Sequence, residues 1–530
     1  MTAAADSVPA SVPAMRAGLR DFSDRLSPML VKELRQGLKS PVFIWGLILM
    51  QLALALMALV TMDEGNSSDS SLAFWWSGAI VVCILLPMRV ANALRDEMGG
   101  NTMDTLVLTR LSAWRITLGK WLATGALQIL VAITVLPYLI LRYFAGGVDT
   151  PAEIAWMGGL VVFGLLVTAI MLGLSWFRYF LVRAFVMLVV IFGAAMGCAA
   201  LILMVTRGAD YVMEREFIGI GWSGFVWLLL LTGWLGYFFL DLGVAQIAPA
   251  AENRATRRRL SALVFCVAAG ACCLMTKKPE GGLLLGVLSF GVLIAACVQA
   301  LCERPANFAP ILKPFVKRGL AGRLAGRLLY PGWHTGVFYS FVLFVSGATL
   351  FSLLMRFAFS TRYYDSTEFV APVVSVFAGI YGLIILPVVL WRLFQLMHRW
   401  NFWRWLMLVM VAGLLHGAIL IGASKSDGSG ARLNLLLPSG GLLVPVIAEM
   451  ERKEEWRQQG PDSWDRGNNW DDMERRQRQI MSLLAVAACV SLALWGALAF
   501  IFALIELRKT REAEDELAAA LDWKNRTAGA

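Results

Sequence analysis

Runs of about twenty apolar residues without a charge recur along this chain, and each is long enough to cross roughly 30 Å of hydrocarbon as a helix. No other feature narrows the possible folds as much. Of the 530 residues, 58% are hydrophobic and only 16% charged, more apolar surface than a water-soluble fold can hide. A transmembrane β-barrel needs alternating segments of about ten residues, and the sequence has none. The fold class expected is therefore all-α: a polytopic transmembrane helical bundle of about twelve spans. The spans fall near 42–61, 72–91, 118–141, 154–175, 180–205 and 221–247, then near 261–275, 282–301, 334–354, 369–391, 406–423 and 479–505.

Charge orients these spans. The net charge is +10, and its placement fits a membrane surface better than nucleic acid, so no nucleic-acid partner is expected. The first connection, MDEGNSSDSS, is acidic and has no Lys or Arg, whereas the next carries Arg89, Arg95, Arg110, Arg115 and Lys120. Alternation continues through the basic stretch APAAENRATRRRL at 248–260 and the basic segment from Arg304 to Arg327, an interleaving of basic and apolar residues that suggests a surface helix. By the positive-inside rule both termini are cytoplasmic. Residues 1–26 lack an apolar signal core and are expected to be a disordered cytoplasmic tail. Residues 506–530 are expected to form a cytoplasmic tail, helical from Arg508 in RKTREAEDELAAAL.

Within the spans, chemistry is sparse. The eight cysteines sit in or beside apolar runs without a C-x-x-C, and His334, His398 and His416 are isolated in sequence, so neither a metal site nor a redox site is expected. The spans offer no nucleophile–base pair and no H-E-x-x-H, so no catalytic residue is assigned. Asp241, in GYFFLDLGVAQ, is the clearest intramembrane ionisable group, and such groups are functional candidates.

Two polar segments have more structure than membrane insertion requires. Residues 27–40, SPMLVKELRQGLKS, read as a short amphipathic helix, with Ser27 as N-cap, Pro28 in the first turn and an apolar stripe of Leu30, Val31, Leu34 and Leu38. It should lie in the interface. Residues 95–120, RDEMGGNTMDTLVLTRLSAWRITLGK, separate two spans. Gly99-Gly100-Asn101 makes a turn, Thr102 can cap a short helix with Asp104 in its first turn, and Ser112 can cap the helix that becomes the third span. The result is a short rod on the membrane surface joined to two spans, through which an applied force moves both.

These two segments resemble the ABC-2 type transporter permeases, the membrane subunits of one class of ABC exporters. In that family the corresponding loop has an acidic start, then G-T-L-E-L-L, T-P-L-S and G-K, and the preceding elbow helix carries a V-K-E-L-R-Q run. Arg110 stands where the family usually has proline. The resemblance covers about residues 27–250 and implies that Asp96, Glu97, Thr102, Asp104, Thr109, Leu111 and Ser112 contact or position a separate ATPase, while Glu33 and Arg35 anchor the elbow helix. The chain has no G-x-x-x-x-G-K-[ST], so the resemblance places ATP-Mg on the partner ATPase subunit and no cofactor in this chain.

The expected domain plan follows: a permease-like six-helix module at 27–250, then a second six-helix region at 251–505 that includes an external loop at 424–478. Within that loop, LNLLLPSGGLLVPVIA is broken by Pro438, Ser439, Gly440 and Gly441 and reads as interfacial or re-entrant. One coupling loop per chain, where ABC transporters use two ATPases, implies a second permease copy in a homodimer, or a paralogous permease. Membrane lipids are the remaining partners, in a bacterial cytoplasmic membrane. The rival readings are an integral-membrane enzyme acting on lipid-linked substrates and a non-transporting membrane scaffold or sensor.

Overall fold

The structure is a computed structural model that describes residues 28–64, 68–91, 94, 112–145, 150–175, 180–207, 221–249, 252–276, 279–306, 308–359, 367–394, 402–425, 429–450 and 469–528. Among these residues there is no β-strand. Every apolar run identified above falls on a helix. In chain order these are α1 (Pro28–Leu38), α2 (Pro41–Glu64), α3 (Ser68–Ala79, continued through a π-helical stretch Ile80–Leu85 into Leu86–Arg89), α4 (Ala113–Ala145), α5 (Thr150–Leu174), α6 (Phe180–Arg207) and α7 (Gly221–Ile247). There follow α8 (Ala255–Leu274), α9 (Pro279–Leu301), α10 (Ala309–Val316), α11 (Gly319–Leu329), α12 (Trp333–Phe359), α13 (Thr367–Phe394), α14 (Phe402–Lys425) and α15 (Asn469–Ala528). Nine helices among the described residues are long and apolar enough to cross a membrane. Their outer faces are themselves apolar: Trp45, Leu49 and Leu59 on α2 and Met410, Leu414 and Ile421 on α14 are all exposed. In water such surfaces would associate; in hydrocarbon they are solvated.

The chain divides into two compact units, one of Met1–Arg207 with Phe239–Ile247 and the other of Gly208–Phe238 with Ala248–Ala530. In the first, α2 to α6 bury Leu54, Trp75, Leu127, Val131 and Leu139 in one cluster. The polar side chain of Gln128 reaches its centre for a local reason. In the π-helical register the N–H of Leu86 bonds to the carbonyl of Val81, so the next donor would serve Val82. That residue is Pro87, which has no N–H. The Val82 carbonyl instead accepts from Gln128 Nε2 at 2.9 Å, and the same amide reaches Thr168 Oγ1 at 3.0 Å. Gly164 leaves room for the crossing, since a Cβ there would lie 3.0 Å from both Gln128 and Val82.

One expectation from the sequence needs correction here. The basic stretch 248–260 is more than a connection between spans: α8 begins at Ala255, ahead of the span expected near 261–275, and Arg258 and Arg259 are buried. Arg259 bonds Glu303 at 2.6 Å, the Leu328 carbonyl at 2.7 Å and Thr335 at 3.0 Å, and Arg258 reaches Glu303 at 3.6 Å. The guanidinium groups thus find acceptors in segments distant in sequence, which local composition cannot reveal. The tail expected as a helix from Arg508 is one, and it continues the last span without a break in the 60-residue α15, about 90 Å long at a 1.5 Å rise. Beyond its apolar part, Ala513, Leu517 and Leu521 pack against Ile311, Leu312 and Phe315 of α10, which explains why the helix does not stop at the charged Arg508-Lys509 step.

Candidate functional site

The elbow helix α1 is built differently from its apolar stripe. Met29, Glu33 and Gly37 are buried, spaced four apart on one face, while Leu38 is exposed. That face lies on α4. A Cβ on Gly119 would sit 3.2 Å from Met29 Cγ, and one on Gly37 would sit 2.7 Å from Leu127 Cδ1 and 2.6 Å from Arg89 Nη1. A larger residue at either position would crowd these neighbouring side chains, which glycine avoids. In the middle of the face, Lys120 Nζ donates to Glu33 Oε1 at 2.8 Å, both groups nearly sealed from solvent. Glu33 therefore points into the protein and ties the elbow to α4, while Leu34 packs against the core cluster and Leu38 stays exposed. Arg35 is exposed.

The opposite end of α4 carries a second buried ion pair. Arg142 lies 3.2 Å from Glu153 at the start of α5, donates to Ser71 Oγ at 2.7 Å, and stands over the Phe74 ring at 4.4 Å. Arg142 follows Lys120 by 22 positions, about 33 Å along a helix, which matches the thickness of a hydrocarbon core. The two pairs bracket an uncharged stretch of α4 as its two interfaces would.

Of the residues assigned to the coupling loop, Ser112 is described: it is exposed and caps α4, its Oγ accepting from the Arg115 N–H at 3.4 Å, as an N-cap does. Asp96, Glu97, Thr102, Asp104, Thr109 and Leu111 lie outside the described residues. The segment leaves a fixed point, since Leu94 is wholly buried with Val90, Ala169, Leu172 and Leu240. Asp241 is wholly buried too, on the α7 turn that α5 approaches closely: a Cβ on Gly173 would lie 2.3 Å from the Phe239 carbonyl oxygen.

A further polar cluster escaped the sequence reading, which had found no nucleophile–base pair. The chain after α14 forms two short 3₁₀ turns, Ser429–Leu436 and Pro438–Leu443, and folds against α13. Gly379 and Gly382 make the contact possible, because a Cβ would lie 2.2 Å from Leu442 N or 2.0 Å from the Pro438 carbonyl oxygen. His416 of α14 bridges the turns, with Nδ1 2.8 Å from Asn434 Oδ1 and Nε2 2.7 Å from Ser439 Oγ. Asn434 Nδ2 donates to the Ala431 carbonyl at 3.1 Å, which orients its oxygen toward His416. The imidazole proton then belongs on Nδ1, and Nε2 accepts from the serine hydroxyl. This connectivity is that of a nucleophile, base and orienting amide. Ser439 is nevertheless fully buried, so its hydroxyl meets protein rather than a substrate cleft, and the array holds irregular backbone in place by satisfying its polar groups. The only sequence signal was the P-S-G-G break; His416 gave none, because its partners lie 18 and 23 positions away.

The fold and these sites define an α-helical protein with the make-up of a multi-pass membrane protein. Compared with known protein families, with curated proteins and with solved structures, the chain has no match.

Proposed function

We propose that this chain is the membrane-spanning permease subunit of an ABC transporter, with twelve spans, moving a substrate outward across a bacterial cytoplasmic membrane. A separate ATPase subunit carrying ATP-Mg drives it, and a second copy of the chain completes the pore. The observation that best supports this reading is the Glu33–Lys120 pair. It fastens the elbow helix to the end of α4 that receives the 95–112 segment, while Leu94 is packed at the segment's other end. A displacement of the segment would act on α3, α4 and the elbow together. The sequence order around Thr102, Asp104 and Ser112 supplies the rest of the argument.

Co-purification with an ABC ATPase is the test. Wild type should retain the ATPase and raise its ATP turnover, and Glu97→Ala/Asp104→Ala should lose both effects at unchanged expression. Equal association and turnover for the two would refute the coupling role. A Ser439→Ala variant should transport normally; inactivity at unchanged expression and unfolding midpoint would instead favour an integral-membrane enzyme.

A further inference from the structure

Residues 320–327 are a tandem repeat, Leu-Ala-Gly-Arg twice over, at the heart of α11. A four-residue repeat on a helix of 3.6 residues per turn gives each residue type its own stripe. The stripes are arranged in reverse of a water-soluble helix. Gly322 and Gly326 face the protein and leave no space: a Cβ would lie 2.1 Å from the Phe315 carbonyl oxygen or 2.5 Å from the Tyr330 ring. Leu320 and Leu324 face outward, 82% and 56% exposed. In water this burial pattern wastes two of the helix's four leucines.

The surroundings explain it. From Arg304 to Gly332 there are six basic residues and no acidic one. Lys313, Lys317, Arg318 and Arg327 are exposed around the leucines, and Arg323 is held by Asp515 of α15 at 2.8 Å. The segment joins the ends of two apolar helices, α9 and α12, so both of its ends start from the same membrane boundary. The inner face of α10 is already occupied by α15, which leaves the leucine face of α11 as the uncovered apolar surface of the pair. Exposed leucines set among exposed cations, on a segment that itself carries no acid, suit a surface that is apolar beneath and anionic on top.

We infer that α10 and α11 form a foot that binds anionic phospholipid, with Leu320 and Leu324 entering the acyl boundary while Lys317, Arg318 and Arg327 hold the headgroups. Its grip on α15 through Arg323–Asp515 fixes the emerging end of that helix at the membrane surface. Basic residues close to an anionic bilayer each strengthen binding by about fivefold, so three should dominate over generic lipid contact.

The full chain in detergent, titrated with short-chain phosphatidylglycerol or phosphatidylcholine and read by native mass spectrometry, tests this. Wild type should retain phosphatidylglycerol preferentially. Lys317→Gln/Arg318→Gln/Arg327→Gln should lose most of that preference with phosphatidylcholine binding unchanged. Equal retention of both lipids by wild type, or a preference that survives in the triple variant, would overturn the inference. A nitroxide at position 320, in full chain reconstituted into nanodiscs containing phosphatidylglycerol, should be reached by oxygen and shielded from a water-soluble nickel chelate. A label open to the chelate, or one shielded in lipid-free detergent by an acidic protein or a second copy, would equally overturn it.

Discussion

Lys120 Nζ and Glu33 Oε1 lie 2.8 Å apart inside the contact between α1 and α4. Burying an ion pair gives little net stability over an apolar pair, because desolvation offsets the attraction. What the pair supplies is register: α1 has one position on α4 at which neither charge is stranded. The flanking Gly37 and Gly119 contacts work in the same direction, since both require close approach.

Breaking one side of that pair leaves a buried charge. Lys120→Met alone should destabilise the protein by about 3–5 kcal/mol, and Glu33→Leu should do likewise. The double variant Glu33→Leu/Lys120→Met should recover most of the loss. Thermal unfolding of the four proteins in one detergent gives the coupling energy, and additive losses would show that the pair does not interact.

Gln128 should matter only because Pro87 withholds an N–H. Gln128→Leu leaves the Val82 carbonyl without its donor and should cost about 1–3 kcal/mol. In a Pro87→Ala background, where the backbone can supply its own N–H, the same substitution should cost clearly less. A loss of equal size in both backgrounds would contradict the π-register account.

Close packing of the 3₁₀ turns on α13 predicts a sharp contrast among glycines. Gly382→Ala places a Cβ 2.0 Å from a carbonyl oxygen, and overpacking of this kind costs about 1–3 kcal/mol. Gly413→Ala, on α14 with nothing within 4 Å, should be neutral or slightly stabilising. Limited proteolysis and unfolding midpoints of the two variants check this.

Tyr330 should give the fold an alkaline limit. Burial, reinforced by the nearby Glu514 carboxylate, pushes its phenol well above the usual range. The folded state thus binds the proton more tightly than the unfolded state, whose value is about 10. The stabilising contribution is complete below that pH and falls as the pH rises through it toward the folded value. Tyr330→Phe should flatten the loss of stability above that pH, and absorbance of the phenolate near 295 nm should lag behind that of exposed tyrosines.

Composition alone determined that this is a helical chain suited to a membrane, because runs of apolar residues without charge have few other stable solutions. It also located the helices closely and the Ser112 cap, since periodicity, proline and capping residues act within a few positions of one another. The tertiary structure decided everything that depends on which helix faces which. Glu33 reads as a surface residue of an amphipathic helix until Lys120, 87 positions away, is brought beside it. Arg259 reads as part of a basic loop until Glu303 and three backbone or hydroxyl acceptors surround it, and His416 reads as isolated until Asn434 and Ser439 close on it. Local sequence fixes a residue's backbone state through short-range sterics and hydrogen bonds. The partner of a buried polar group is chosen only when packing removes water and leaves a single acceptor within reach.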